Sequence, residues 1–224
     1  MGQRRFEATR CAGCGLHEPL CVCPLRPRLS LETSFLVVQN NRERNKPTNT
    51  ARILPQVLSN CALIHFGVRN QVFDETPLRD PERDYILIFP RVRDPEGPKP
   101  KPAPILDQAT LASRSAPTIV LLDGTWAQCS RMSRRVAALA DMEAFALPPG
   151  PPSHWGVRST DDPSRISTFE AAVRLVELCE GPEAAKTLQI YFDRVAAAML
   201  FMKAKLPSPE VPGHWIDERE RRFG

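Results

Sequence analysis

The stretch Thr118-Ile119-Val120-Leu121-Leu122-Asp123-Gly124-Thr125-Trp126 decides the fold class of this chain. Its first five residues are apolar or β-branched and show no alternation with polar residues, which is typical of a strand buried on both faces. A carboxylate and a glycine follow, and a helical pattern begins at Ala127. A buried strand that turns through a glycine into a helix indicates a βα unit, so the stretch predicts an α/β fold.

The rest of the chain repeats this alternation of buried strands and helices. Short apolar runs predict further strands at residues 34–39, 62–66, 85–89 and 144–147. Helical patterns at residues 50–59, 127–140, 167–179 and from 182 onward lie between and after them. We therefore expect a mainly parallel sheet with helices on both faces. Prolines predict an extended loop over residues 94–104, and we expect the tail from residue 207 to be poorly ordered.

Composition limits the class of protein without naming a function. The 224 residues are 42% hydrophobic, enough to bury a core, and carry a formal net charge of +4. This mildly basic balance is compatible with a nucleic-acid partner but is weak evidence for one. No apolar run approaches the roughly 20 residues that a membrane span needs. Seven cysteines without a secretory signal favour a reducing compartment, so we expect a cytoplasmic protein that does not bind membranes.

Four of the seven cysteines crowd into a short segment with the spacing Cys11-x2-Cys14-x6-Cys21-x-Cys23. Four thiolates so close together suit tetrahedral zinc, and a site with four protein ligands is typical of structural zinc rather than an open catalytic site. The alternatives are scattered core cysteines, for which the polar surroundings offer no core, and a redox pair, which lacks the preceding strand of a thioredoxin-like unit. We therefore predict a zinc-binding segment at residues 1–30.

Asp123 lies where a ligand of a parallel sheet is expected. Ligands of such sheets bind outside the carboxyl ends of the strands, and Gly124 allows the backbone to approach one closely. The competing interpretation is a plain strand-to-helix turn, in which Asp123 or Thr125 caps the helix and Trp126 packs. The residues alone leave both interpretations open.

The order of several motifs resembles the DTW-domain family, which is named after its Asp-x-Thr-Trp motif. The similarity extends over roughly residues 10–205, beginning with the cysteine cluster. The further matching segments are Lys46-Pro47-Thr48-Asn49-Thr50-Ala51-Arg52, Phe89-Pro90, Asp123-Gly124-Thr125-Trp126, Arg158 and Ser167-Thr168-Phe169-Glu170-Ala171.

The resemblance implies a fold and an activity. It implies a knotted sheet similar to SPOUT-type enzymes, here as a catalytic domain at residues 31–206 followed by a tail at 207–224. It also implies transfer of the 3-amino-3-carboxypropyl group of S-adenosylmethionine to N3 of a uridine in the tRNA variable loop, with methylthioadenosine as the second product. None of this follows from periodicity or spacing.

The same resemblance implies where the donor, S-adenosylmethionine, would bind. The loops after consecutive strands would hold it, mostly through backbone groups, and Arg158 would pair with its carboxylate or else contact a phosphate. Asp123 would serve as the general base or instead accept a hydrogen bond from the donor. The expected donor-binding residues are Phe89, Pro90, Asp123, Gly124, Thr125, Trp126, Leu147, Arg158 and Thr168. For Thr168 helix capping is the competing role.

Two basic stretches are candidates for contact with tRNA phosphates. The predicted residues are Arg44, Lys46, Asn49, Arg52, Arg131, Arg134 and Arg135. A solvated charged surface is the alternative for the arginines and Lys46, and a helix cap is the alternative for Asn49. For the whole chain, the alternative functions are a SPOUT-type RNA methyltransferase and a non-catalytic, zinc-containing RNA-binding module. The sequence does not fix the oligomeric state.

Overall fold

The computed structural model describes residues 9–92, 99–157 and 166–224, and its centre is a five-stranded parallel sheet. In chain order the strands in these residues are β1 (Ser34–Asn40), β2 (Cys61–Phe66), β3 (Asp84–Ile88), β4 (Arg91–Val92), β5 (Lys101–Pro102), β6 (Pro117–Asp123) and β7 (Ala144–Phe145). The sheet order is β2-β1-β6-β3-β7, with every neighbouring pair parallel. The predicted α/β class and mainly parallel sheet are confirmed, whereas the knot stays a prediction.

The strand register brings the functional end of the sheet together. Gln39 near the end of β1 pairs with Asp123 at the end of β6. Because the strands are parallel, the segments that leave β1, β3, β6 and β7 all begin at the same edge. The short β4 and β5 pair antiparallel beside this edge, so residues 101–102 of the predicted loop form a strand. Residues 94–98 of that loop lie outside the described residues.

The helices agree with the predicted periodicity except where the backbone breaks it. They are α1 (Leu54–Val57), α2 (Gln108–Ala112), α3 (Trp126–Arg135), α4 (Ala137–Asp141), α5 (Thr168–Glu180), α6 (Pro182–Met202) and α7 (Gly213–Phe223). The helix predicted at residues 50–59 is shorter, because a 3₁₀ turn at Ala51–Ile53 precedes a single α-helical turn with Pro55 at its start. The helix predicted at 127–140 is interrupted at Val136, whose ψ of 114° is extended.

Helices cover both faces of the sheet, as predicted. On one face α5 and α6 bury Phe169 and Phe192, whose rings stack with centroids 4.8 Å apart. On the other face α3 and α4 bury Met132 and Leu139, together with Val136 between them. The cysteine segment joins the α5–α6 side through the buried Leu16.

The expectation of a poorly ordered C-terminal tail was wrong. Residues 213–223 form α7, and Trp215 and Phe223 are buried in the same apolar cluster as α6. Their large aromatic area explains why the charged sequence around them still packs. Across the described ranges, no helix combines the length and apolar character needed to cross a bilayer.

Candidate active site and metal centre

A cavity of about 470 Å³ opens at the carboxyl ends of the central strands. It lies among the loop after β3, the turn after β6, the proline-rich segment after β7 and the first turns of α5. This is the volume of a small-molecule site and the position where parallel sheets bind ligands. Six of the predicted donor-binding residues line it: Phe89, Pro90, Gly124, Trp126, Leu147 and Thr168.

Three predicted donor-binding residues are not among those lining residues. Thr125 caps α3 and forms a capping box with Gln128, which is the competing role considered from the sequence. Asp123 lies behind Gly124 and Thr168, and only 5% of its surface is exposed. Arg158 lies outside the described residues.

The walls of the cavity are mostly apolar, with one cationic side chain. Among its described lining residues, Arg174 of α5 is the only charged one. Its guanidinium donates hydrogen bonds to the carbonyl oxygens of Pro148 (3.3 Å) and Pro151. Gly150 lies directly over the guanidinium, where a Cβ atom would come within 2.5 Å of Arg174 Nε. Arg174 therefore holds the proline-rich wall in place while bringing a positive charge to the cavity.

Glu170 fixes the N-terminus of α5 through hydrogen bonds. Glu170 accepts from the backbone N–H of Ser167 at 2.7 Å, and the Ser167 hydroxyl accepts from the backbone N–H of Glu170, which forms a capping box. The same carboxylate accepts from the Ser153 hydroxyl and from the backbone N–H of His154. One buried carboxylate thus joins the N-terminus of α5 to the loop that follows the proline-rich wall.

Asp123 is the centre of a buried hydrogen-bond network. Its Oδ2 accepts from Gln39 Nε2 at 2.9 Å and from Asn49 Nδ2 at 2.6 Å, while its Oδ1 accepts from the Thr168 hydroxyl at 2.6 Å. Gln39 also donates to Asn49 Oδ1 at 2.9 Å. A carboxylate offers about four acceptor sites, so three of them are already used. The geometry favours Asp123 as a residue that positions Thr168 over a role as a freely accessible base.

Trp126, the last residue of the motif, opens α3 at the cavity. Its side chain remains 47% exposed, and its ring centroid lies 6.2 Å from that of Phe89. The two aromatic rings therefore form an accessible apolar surface on the cavity wall.

The four clustered cysteines have the geometry of a metal site. Their sulfur atoms all lie within 4.8 Å of one another, with Cys11 and Cys23 3.6 Å apart and Cys14 and Cys21 3.8 Å apart. Tetrahedral zinc with Zn–S distances of about 2.3 Å places its sulfurs about 3.8 Å apart, so the cluster fits zinc. Backbone N–H groups of Cys14 and Gly13, with the neighbouring thiols, outweigh burial and lower the pKa of Cys11 to about 6. Burial raises the pKa of Cys23 to about 12, and the pKa of Cys21 is also raised, so without an ion only Cys11 of these three favours the thiolate form.

Two of the residues predicted to contact RNA also have partners within the protein. Asn49 is buried in the Asp123 network, where its Oδ1 also accepts from the backbone N–H of Arg52 at 3.2 Å. The Arg52 guanidinium is directed at the cysteine segment, against Gly15. Asn49 is therefore buried and Arg52 half-buried, and their contact with RNA stays a prediction.

The other basic residues remain on the surface. Arg44 is exposed, and Lys46 is partly exposed while pairing with Glu43 at 2.6 Å. On α3 the three arginines are also exposed: Arg131, Arg134 and Arg135. Because β1 and β6 are parallel neighbours, the segment that carries Arg44 and Lys46 and the N-terminus of α3 both follow the sheet at the edge that holds the cavity, whereas Arg134 and Arg135 lie in the last turn of α3.

Comparison with known proteins identifies the family. Residues 8–200 match the DTW domain. The chain belongs to the DTW domain family. Among curated proteins, this DTW chain is 25% identical over 189 residues to tRNA-uridine aminocarboxypropyltransferase 2 of Macaca fascicularis. The alignment covers 80% of this chain but only 58% of that relative. No solved structure matches the chain.

Two residues of the DTW site were missed by the sequence analysis. Gln39 is a polar residue near the end of an otherwise apolar strand, and pairing that strand beside β6 would have placed it next to Asp123. Arg174 follows Thr168 and Ala171 at intervals of three, a helical spacing that puts all three on one face. Both signals depend on knowing which elements are neighbours.

Proposed function

We propose that this DTW protein transfers the 3-amino-3-carboxypropyl group of S-adenosylmethionine to N3 of a uridine in the variable loop of tRNA, releasing methylthioadenosine. The observation that carries the proposal is the cavity built around the family motif at the carboxyl ends of the sheet. The name of the macaque relative supports the choice of reaction.

The cavity is chemically suited to the donor. Its volume of about 470 Å³ lies within the range of small-molecule sites, and its apolar walls suit an adenine ring. We assign the donor carboxylate to Arg174, the one charged side chain among the described lining residues. Arg158, which the family resemblance suggested for this role, stays a second candidate.

Catalysis would come mainly from orientation. S-adenosylmethionine carries a good leaving group, so the protein must present the γ-carbon rather than the methyl group to the uracil N3. The C–S bond breaks as the new C–N bond forms, the sulfonium sulfur leaves as the neutral thioether of methylthioadenosine, and the N3 proton passes to solvent water. Positioning of this kind contributes several kcal/mol. In our proposal Asp123 acts by fixing the Thr168 hydroxyl at the cavity wall, where Thr168 and Gly124 contact the donor.

The cysteine cluster would hold one structural zinc ion through Cys11, Cys14, Cys21 and Cys23. Four protein ligands leave no open coordination position, so the ion supplies folding free energy and no reacting group.

The tRNA would lie across the basic surface beside the cavity. Exposed cations there give affinity without base specificity, which leaves the choice of uridine to the pocket. The proposed phosphate contacts are Arg44, Lys46, Arg131, Arg134 and Arg135. A tRNA substrate is also the reason why we propose a cytoplasmic location.

Nucleoside mass spectrometry tests the proposed reaction. Unmodified tRNA incubated with the protein and S-adenosylmethionine should gain the mass of one aminocarboxypropyl group on uridine, with an equal amount of methylthioadenosine. A methylated nucleoside with S-adenosylhomocysteine would instead identify a methyltransferase. Calorimetry that detects no donor binding would favour a non-catalytic RNA-binding module.

A further inference from the structure

The described residues around Arg52 do not satisfy all the hydrogen-bond donors of its guanidinium. Its Nε and Nη2 atoms are buried, and neither has a hydrogen-bond partner among the described residues. A buried, unpaired guanidinium nitrogen is costly, so a native structure is expected to offer it a partner. The guanidinium lies against Gly15, directly after Cys14. Burial lowers the pKa of Arg52, and the neighbouring Cys14, Cys11 and Cys23 oppose this shift.

The neighbouring cysteine cluster would offer such a partner if it held a metal. Four thiolates around Zn²⁺ leave a net charge of about −2, and thiolate sulfurs accept hydrogen bonds. A cation beside such a centre stabilises it, and the centre in turn compensates the buried guanidinium.

The segment that carries Arg52 also reaches the active site. The Arg52 backbone N–H donates to Asn49 Oδ1, and Asn49 Nδ2 donates to Asp123. One turn later, Gln56 Nε2 bridges the Arg52 carbonyl (2.8 Å) and the Gly13 carbonyl (3.2 Å) of the cysteine segment. The short 3₁₀ turn between these contacts leaves little room for one end to move without the other.

We propose that Arg52 is a positioning residue that couples the metal centre to the Asp123 network. The zinc-thiolate group holds the guanidinium, the Arg52 backbone holds Asn49, and Asn49 holds the Asp123 carboxylate. Residues 49–56 contact the cysteine segment on one side and the Asp123 network on the other. The zinc centre therefore stabilises the geometry of the cavity through this segment. The proposal does not depend on the reaction that the cavity performs.

Two measurements on the zinc-loaded, full-length protein test this coupling without donor or tRNA. The first follows zinc transfer to a chromophoric chelator in wild type, Arg52→Met, Arg52→Lys and the control Arg28→Met. Arg28 is an exposed arginine that follows the cysteine segment in the chain. Removing a neighbour of a metal ligand commonly costs about 10–100-fold in metal affinity, so Arg52→Met should lose zinc at least about tenfold more readily. Arg52→Lys, which keeps the charge, should recover part of that loss, and Arg28→Met should match wild type.

The second measurement is amide hydrogen exchange over residues 46–57 and 121–128, with residues 188–198 of α6 as the internal reference. In Arg52→Met the amide hydrogens of the first two regions should exchange faster than in wild type, and those of the reference region should exchange at the wild-type rate. If Arg52→Met does not fold, wild type stripped of zinc by a chelator should show the same regional pattern. Unchanged zinc retention in Arg52→Met overturns the proposal. So does unchanged exchange at 121–128 in both zinc-stripped wild type and the methionine variant.

Discussion

Replacing Asp123 with Asn separates the two roles open to this carboxylate. The side chain keeps its size, and its oxygen can still accept from Gln39 and Asn49 in the Oδ2 position. Its new NH₂ group takes the place of Oδ1 and can donate to the Thr168 oxygen if that hydroxyl rotates. The network can therefore survive while the negative charge and any basicity are lost.

The magnitude follows from the three bonds. Hydrogen bonds to a charged group are worth about 1.5–3 kcal/mol and neutral ones about 0.5–1.5 kcal/mol. Three weakened bonds, offset by the relieved cost of burying a charge, predict a loss of about 1–3 kcal/mol of unfolding free energy in Asp123→Asn. Asp123→Ala leaves the two buried amides and a hydroxyl without their acceptor, at about 1–3 kcal/mol each. We therefore expect a loss of about 3–9 kcal/mol in Asp123→Ala, which makes it the poorer probe of catalysis.

Urea unfolding, calorimetric donor affinity and single-turnover transfer should be measured on the same preparations. If Asp123 positions Thr168, the substitution Asp123→Asn should lower the transfer rate by roughly tenfold and weaken donor binding in parallel. The effect on the rate stays moderate because part of the lost interaction free energy appears as reduced fold stability. Loss of a general base would instead cost about 100- to 10,000-fold. An Asp123→Asn protein with wild-type stability and donor affinity but a rate at least about 1,000-fold lower would refute the positioning role.

Four further outcomes follow from the geometry. Cys14→Ser should lose the roughly one equivalent of zinc found in wild type and loosen the N-terminal segment; full zinc retention by elemental analysis would contradict the four-cysteine site. Arg174→Met should weaken binding of S-adenosylmethionine by roughly 10–100-fold with zinc content unchanged, since it removes a charged hydrogen-bond partner; equal calorimetric affinity would exclude the carboxylate contact. The double variant Arg44→Ala, Lys46→Ala should bind tRNA more weakly and reduce the salt slope by about one for each lost contact, and an unaltered slope would indicate a merely solvated surface. Burial alone would lower the pKa of His154, but hydrogen bonds to the carboxylates of Asp193 and Glu218 outweigh burial and raise this pKa. The stabilisation that protonated His154 contributes is therefore complete below about pH 6.5 and is lost as pH rises through the raised pKa. Unfolding free energy should therefore fall over that window in wild type and stay flatter in His154→Gln, as measured by urea titration at several pH values.

Local patterns predicted the parts of this protein whose structure is decided locally. The strand at 118–122 is buried in the middle of the sheet, and its lack of alternation already indicated burial on both faces. The capping box of Ser167 and Glu170 set the start of α5 because both partners lie within one turn. The close spacing of the four cysteines likewise restricts their sulfurs to one small volume.

The basic stretch at residues 42–52 shows where such patterns stop. From the sequence Arg52 looks like one more surface cation, but in the fold it is directed at the cysteine segment, about 40 residues earlier in the chain. The same holds for the tail from residue 207, which we expected to be poorly ordered, although its residues 213–223 form α7 and pack in the same apolar cluster as α6. Burial of a long amphipathic side chain is decided by distant neighbours, which local periodicity does not contain.

The Asp123 network illustrates the same limit at the site that matters most. Its members come from four separate segments, at Gln39, Asn49, Asp123 and Thr168, and only the parallel register of β1 beside β6 brings the first and third together. Once that register is known, the rest follows, because a carboxylate buried at the end of a strand must find donors from whatever leaves the sheet nearby. The family motif therefore marks the place of the site, whereas its chemistry depends on residues that lie outside the motif.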